Sequence, residues 1–153
     1  MSAIHRILCP VDFSSPSDRA LAYAIDLAQQ LHAKIDLLHT WELPVYALPE
    51  GMMVFGPEVM ASIDVEATKK MDERIASLPT KGVEFTKHIE EGQAGLHIVR
   101  AAKSYGVDLI VMGTHGRTGI EHLFMGSVAE RVVRTSTVPV LTVPPARNHD
   151  PKS

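Results

Sequence analysis

Four glycines and a serine crowd one stretch near the end of the chain: Gly113, Gly116, Gly119 and Gly126, with Ser127 directly after. An apolar run, VDLIVMG at 107–113, leads into them. A polar stretch, THGRTGIEHLFM at 114–125, separates the first from the fourth and holds the other two. VAERVVRT at 128–135 then has helical spacing, and VPVLTV at 138–143 is apolar again. Strand, glycine-rich loop, helix, strand is an order that sets main-chain N–H groups and a helix N-terminus beside a strand's carboxyl end, a common place for phosphate. Glycine serves such a loop by taking positive φ or by letting the backbone approach a ligand closely. Each hydrogen bond to a charged acceptor is worth about 1.5–3 kcal/mol, and the helix dipole about 0.3–1 kcal/mol. Direct N–H contacts therefore dominate, with Arg117 as a supplementary cation. Ser127 has the side chain of a good N-cap for the helix over 128–135.

Two common phosphate motifs do not fit. A Walker loop needs Lys and Ser/Thr after its last glycine, and Gly126 is followed by Ser127 and Val128. The dinucleotide pattern GxGxxG fails because two residues separate Gly113 from Gly116. The spacing present is G-x2-G-x9-G-[S/T]. Joined to MGTHGRTG at 112–119, GSVAERV at 126–132, PVLTV at 139–143 and ILCPVDFS at 7–14, it resembles the ATP-binding branch of the universal stress protein family, over residues 4–143.

That resemblance implies an open five-stranded parallel α/β sheet of order 3-2-1-4-5 with helices on both faces, Rossmann-like and akin to the adenine nucleotide alpha hydrolases. It implies ATP, accompanied by Mg, as the ligand. In the family the position of Asp12 lies in the nucleotide pocket, with Pro10 and Val11 as neighbouring walls, and Thr40 lies against adenine. The expected contacts are completed by Met112, Gly113, His115, Gly116, Arg117, Gly126, Ser127 and Val128. The resemblance also implies a homodimer in which the last strands pair through Val138, Val140, Leu141 and Val143.

The elements that must hold these residues are readable from periodicity. Residues 4–10 form an apolar strand ended by Pro10, and Asp12, Ser14 and Ser15 occupy the loop after it. Ser15 is the expected N-cap of the first helix, with Pro16 in its first turn and Leu21, Ala24, Ile25, Ala28 and Leu31 on its apolar face. A second strand covers 34–40. Residues 41–57 read as a long loop, rich in apolar side chains and so expected to pack as a cover over the sheet or to face a protein partner. The longest helix, 58–78, carries Met60, Ile63, Ala67, Met71, Ile75 and Leu78 at core spacing. A third strand, 83–89, has a polar face and Lys87, which suits a sheet edge. A helix over 94–105, a strand at 109–112, the glycine loop, the last helix and the last strand follow. Strands alternating with helices give a parallel, doubly wound sheet. Given the implied strand order, its direction reverses between the first and fourth strands, and ligands bind at such a reversal. The loops there, 11–15 and 113–126, are the richest in polar residues and glycine.

Composition narrows the rest. A chain of 153 residues suits one domain, expected over 1–143 with a short polar tail at 144–153. Net charge is −3, which gives no drive toward nucleic acid or anionic membranes. No apolar run reaches the ~20 residues of a membrane span. The start, MSAIHRILCPVDF, lacks the apolar core of a signal peptide, and a cytoplasmic location is expected. Cys9, alone of its kind, sits in an apolar strand and reads as inert packing.

Several side chains carry two readings. Asp12 is a turn former or a ligand contact. His115 is an exposed loop residue or a contact to phosphate or ribose. His39 reads as packing. His115 and His122 lack the cysteines or clustered carboxylates of a metal site, so any Mg arrives with the nucleotide. No catalytic residue is expected: no base is visible, so the protein stores or senses ATP and is at most a slow ATPase. The competing functions are an adenylyl transferase, whose HIGH-like histidine pair or glycine-serine loop PVDFS at 10–14 does not match, and a nucleotide-independent dimeric interaction module, kept open by residues 41–57.

Overall fold

Alternate residues of the first strand enter two different cores. In β1 (Arg6–Pro10), Ile7 and Cys9 join one cluster and Leu8 the other, and all three are fully buried. Side chains alternate across a strand, so β1 is covered on both faces, as a central parallel strand must be. The computed structural model describes residues 2–43, 47–48, 51–52, 55–116 and 125–146.

β1 pairs in parallel with β2 (Lys34–Trp41) on one side and β6 (Leu109–Gly113) on the other. β5 (Phe85–Glu91) lies outside β2, and β7 (Val140–Val143) outside β6. The order is β5-β2-β1-β6-β7. Numbered by the five long strands alone this is 3-2-1-4-5, as expected. α1 (Ser15–Leu31) contributes Leu21, Ala24 and Ile25 to one core, and α2 (Pro57–Ala76) adds Met71 to the same side. α3 (Ala94–Ser104) and α4 (Ser127–Thr135) cover the other face through Ile98, Ala101, Ala129 and Val132. None of the described helices is long and apolar enough to cross a membrane.

The structure corrects several boundaries. The α1 N-cap is Ser14, not Ser15: its hydroxyl accepts from the Ser17 N–H at 3.3 Å. Residues 41–57 are not all loop, since β3 (Ala47–Leu48) and β4 (Gly51–Met52) pair antiparallel within them; whether the segment packs as a cover lies outside the described residues. β5 starts two residues later than expected, because Val83 N–H bonds Thr80 O and Gly82, at φ +81°, closes a turn there. It is nonetheless the edge strand its polar pattern called for. In α2 only Ala67 and Met71 are buried, Met60, Ile63 and Ile75 are half-buried, and Leu78, also half-buried, lies beyond the end of the helix, so the expected core stripe is only partly a core. The N-cap of α4 is Gly126, with Ser127 already inside the helix.

One buried carboxylate joins three strands. Asp36, in the middle of β2, is completely enclosed. It accepts from Arg6 Nε at 2.6 Å and Nη2 at 2.8 Å, and His88 Nε2 lies 2.8 Å away. Burial pushes its pKa up, but the hydrogen bonds from Arg6 and His88 and their charge outweigh that and hold it below the usual carboxylate range.

Candidate functional site

β1 and β6 are neighbours, yet the helix that follows β1 packs on one face of the sheet and the helix that follows β6 packs on the other. Their outgoing chains part, which opens a crevice at the carboxyl ends of the strands. It has a volume of about 510 Å³, within the ordinary range for a small-molecule site of roughly 300–1,000 Å³.

Pro10, Val11 and Asp12 reach this crevice from β1, Thr40 from β2, and Met112, Gly113, His115 and Gly116 from β6 and the turn beyond it. Gly126, Ser127 and Val128 enter at the start of α4. Eleven of the twelve expected nucleotide contacts thus line one hollow. The twelfth, Arg117, falls with Gly119 and His122 outside the described residues. The crevice also recruits residues that periodicity had assigned to packing or passed over: Ser17, Leu38, His39, Trp41, Glu42, Ala94, Ile98, Thr114 and Ala129.

The motif glycines serve by leaving room, not by adopting positive φ, since none of the three described ones is left-handed. A Cβ on Gly113 would lie 3.1 Å from Pro16 O, one on Gly116 would lie 2.7 Å from Asp12 Oδ2, and one on Gly126 would lie 3.3 Å from Thr114 O. The glycine loop is pinched at its base, where Gly126 N–H donates to Thr114 O at 2.6 Å and Thr114 N–H donates to Val143 O at 3.1 Å. Thr114 therefore ties the loop both to itself and to the neighbouring strand.

Two helices start at the crevice, and they differ. α1 is capped by the Ser14 hydroxyl and carries Asp18 in its first turn. α4 begins at Gly126, which has no side chain to cap it. The first amides of a helix have no partner within it. Those of Ser127, Val128 and Ala129 therefore meet the hollow as donors, with the positive end of the helix dipole behind them. Among the described lining residues none is Lys or Arg, and the donors offered there include main-chain amides.

Asp12 is the turn former of its loop and also lines the crevice. Its Oδ1 accepts from the Ser14 N–H at 3.0 Å and from the Ser14 hydroxyl, and its own N–H donates to Ser17 Oγ at 3.1 Å. Its Oδ2 faces Gly116 across the crevice. His39 packs, as expected: it is 8% exposed, and Nδ1 lies 2.9 Å from Val11 O. A carbonyl only accepts, so Nδ1 carries the proton. His39 nevertheless also forms crevice wall. His115 Nδ1 lies 2.9 Å from Thr114 Oγ1. Cys9 is wholly buried, and burial pushes its thiol pKa up to about 12, which keeps it out of nucleophilic chemistry. Among the described residues no group of three His, Cys, Asp or Glu is arranged to hold a metal.

Residues 3–144 match the Universal stress protein family. The chain belongs to that family. It is 35% identical over 140 residues to the universal stress protein MJ0531 of Methanocaldococcus jannaschii, a match covering 90% of this chain and 81% of that one. The solved structure of MJ0577, a universal stress protein of the same organism, superposes with a TM-score of 0.82 at 30% identity, over 95% of this chain and 99% of that one. The universal stress protein of Archaeoglobus fulgidus, solved in complex with dAMP, superposes with a TM-score of 0.64 over 92% of this chain and 98% of that one; at 22% identity the likeness is one of fold.

Proposed function

We propose that this universal stress protein binds ATP together with Mg²⁺ in the crevice between Asp12 and residues 113–129, as a nucleotide-dependent regulator. The observation that carries the reading is the amide-rich hollow itself. Gly113, Gly116 and Gly126 each stand where a side chain would crowd backbone or carboxylate, and the uncapped start of α4 opens on the same space. The complex of the Archaeoglobus fulgidus relative with dAMP supports an adenine nucleotide as the ligand class.

The residues present fit such a ligand. The amides of Gly116, Ser127, Val128 and Ala129 would hold the phosphates, and Thr40, Leu38 and Trp41 would form the wall for the base. Magnesium, when bound, neutralises phosphate charge and takes oxygen ligands, and Asp12 Oδ2 is the nearby carboxylate oxygen. Asp12 Oδ1 is engaged with Ser14, and His39 Nδ1 with Val11 O. Both groups hold the backbone, which favours storage or sensing of ATP over rapid hydrolysis. The same reading includes a cytoplasmic homodimer that pairs through the outer edge of β7. Val138, Val140 and Leu141 are half-buried there, whereas Val143 is 5% exposed within its own chain and would take part through its main chain.

Isothermal titration calorimetry with Mg-ATP tests the proposal. A saturable exothermic isotherm is expected, as is adenine nucleotide in the denatured extract of freshly purified protein. No heat, and no displacement of a fluorescent ATP analogue, would reject it.

A further inference from the structure

Beside Asp12 the chain makes an unusual turn. Phe13 has φ +64°, a conformation that costs a bulky L-residue and persists only where its surroundings impose it. Its half-buried ring packs against the first core, though not on every side. A cavity of about 320 Å³, lined in part by Ile63, Glu66 and Lys70 of α2, adjoins the Phe13 and His39 rings. The ring has space to move away.

What holds the turn comes from α2. Arg74 Nη2 donates to Phe13 O at 3.3 Å, while its Nε donates to Asp18 Oδ1 at 2.7 Å. One guanidinium thus grips the turn and the first turn of α1 at once. The Arg74 guanidinium carbon lies 5.9 Å from the centre of the Phe13 ring, and Lys70 Nζ lies 5.6 Å from it, both within cation–π range. The His39 ring is 4.6 Å away by ring centres, and its Nδ1 bonds Val11 O. The residues on both sides of Asp12 are therefore anchored, Val11 by His39 and Phe13 by Arg74.

We infer that Arg74 is a positioning residue for the nucleotide site, which locks Phe13 in its left-handed turn and so keeps the Asp12 carboxylate aimed at Gly116. This rests on the nucleotide reading above. The rival account is that the local bonds of Asp12 to Ser14 and Ser17 suffice, in which case Arg74 is dispensable for binding.

The test is Mg-ATP affinity by calorimetry for wild type, Arg74→Met and Phe13→Asn, together with the double variant. Arg74→Met is expected to weaken binding about tenfold. Asparagine accepts the left-handed conformation more readily, so in the Phe13→Asn background the same change is expected to cost less than about threefold, a coupling that a loss of general stability would not produce. Unchanged affinity in Arg74→Met, or equal losses in both backgrounds, overturns the inference and leaves the nucleotide reading intact. Arg74→Lys, which keeps a charge near Asp18 but cannot fork to both acceptors, gives a second variant, expected to weaken binding in the same direction, should the first fail to fold. If the wild-type protein binds no Mg-ATP, the nucleotide reading fails. Hydrogen exchange of the free protein then decides the positional claim. Faster exchange of the Ser14 amide in Arg74→Met supports it, and an unchanged rate overturns it.

Discussion

Asp12 and Gly116 face each other so closely that a Cβ on Gly116 would fall 2.7 Å from Asp12 Oδ2. No van der Waals contact of a methyl group with oxygen is that short, so any side chain at 116 must displace either the carboxylate or the loop. Gly116→Val is therefore expected to weaken Mg-ATP binding by at least about a hundredfold, and Gly116→Ala by less. The residue belongs to a peripheral loop and not to either core. The melting temperature should move by only a few degrees, as surface changes usually do. Calorimetry and thermal denaturation on the same samples separate the two effects. Wild-type affinity in Gly116→Val would mean that the crevice is not where the nucleotide sits.

The Arg6–Asp36–His88 group makes a separate prediction about acid stability. Asp36 has a depressed pKa in the folded protein, so the folded state favours the charged form. That contribution is complete above the pKa of the unfolded chain, about 3.9, and is lost as pH falls through the lower folded value. Arg6→Met leaves an enclosed carboxylate with one partner fewer, and breaking a buried pair from one side costs about 3–5 kcal/mol. Urea denaturation between pH 7 and pH 2 is the measurement. Wild type should lose stability at the acid end. Asp36→Asn should be weaker at neutral pH and flatter below pH 4. A parallel decline of the two curves would show that Asp36 carries none of the acid sensitivity.

Much of this arrangement was legible because it repeats locally. The alternation of strand and helix and the glycines at 113, 116 and 126 all lie in short runs of sequence, and the reversal point followed from the strand order that the family resemblance implies. What escaped depends on distance or on where an element stops. Asp36 sits in an apolar strand, and its partners stand 30 residues before and 52 after it, so nothing nearby marks it as paired. Ala94 and Ile98 lie in the helix expected over 94–105; they line the crevice only because α3 begins just beyond the end of the edge strand. Ser14 and Ser15 are equally good caps by type, and only the backbone decides between them. Ser127 has the hydroxyl that a cap calls for, whereas Gly126 takes the place with Thr114 O only 3.3 Å from where its Cβ would be.

Trp41 gives an optical handle on the same crevice. It is the sole tryptophan of the chain, lies at the end of β2, and forms part of the wall beyond Thr40. It is half-buried, and its Nε1 donates to Asp64 Oδ1 of α2 at 3.3 Å. A ligand whose base occupies this end of the hollow displaces water from the indole. Mg-ATP should therefore change the intrinsic emission in a saturable way, with the dissociation constant found by calorimetry. Trp41→Phe should abolish the signal while weakening binding by less than about tenfold, the scale of trimming one apolar wall. Asp64→Ala, which removes only the indole's acceptor, should shift the emission of the free protein and leave affinity within about threefold of wild type. Heat of binding without any change at Trp41 would put the base elsewhere than against the end of β2.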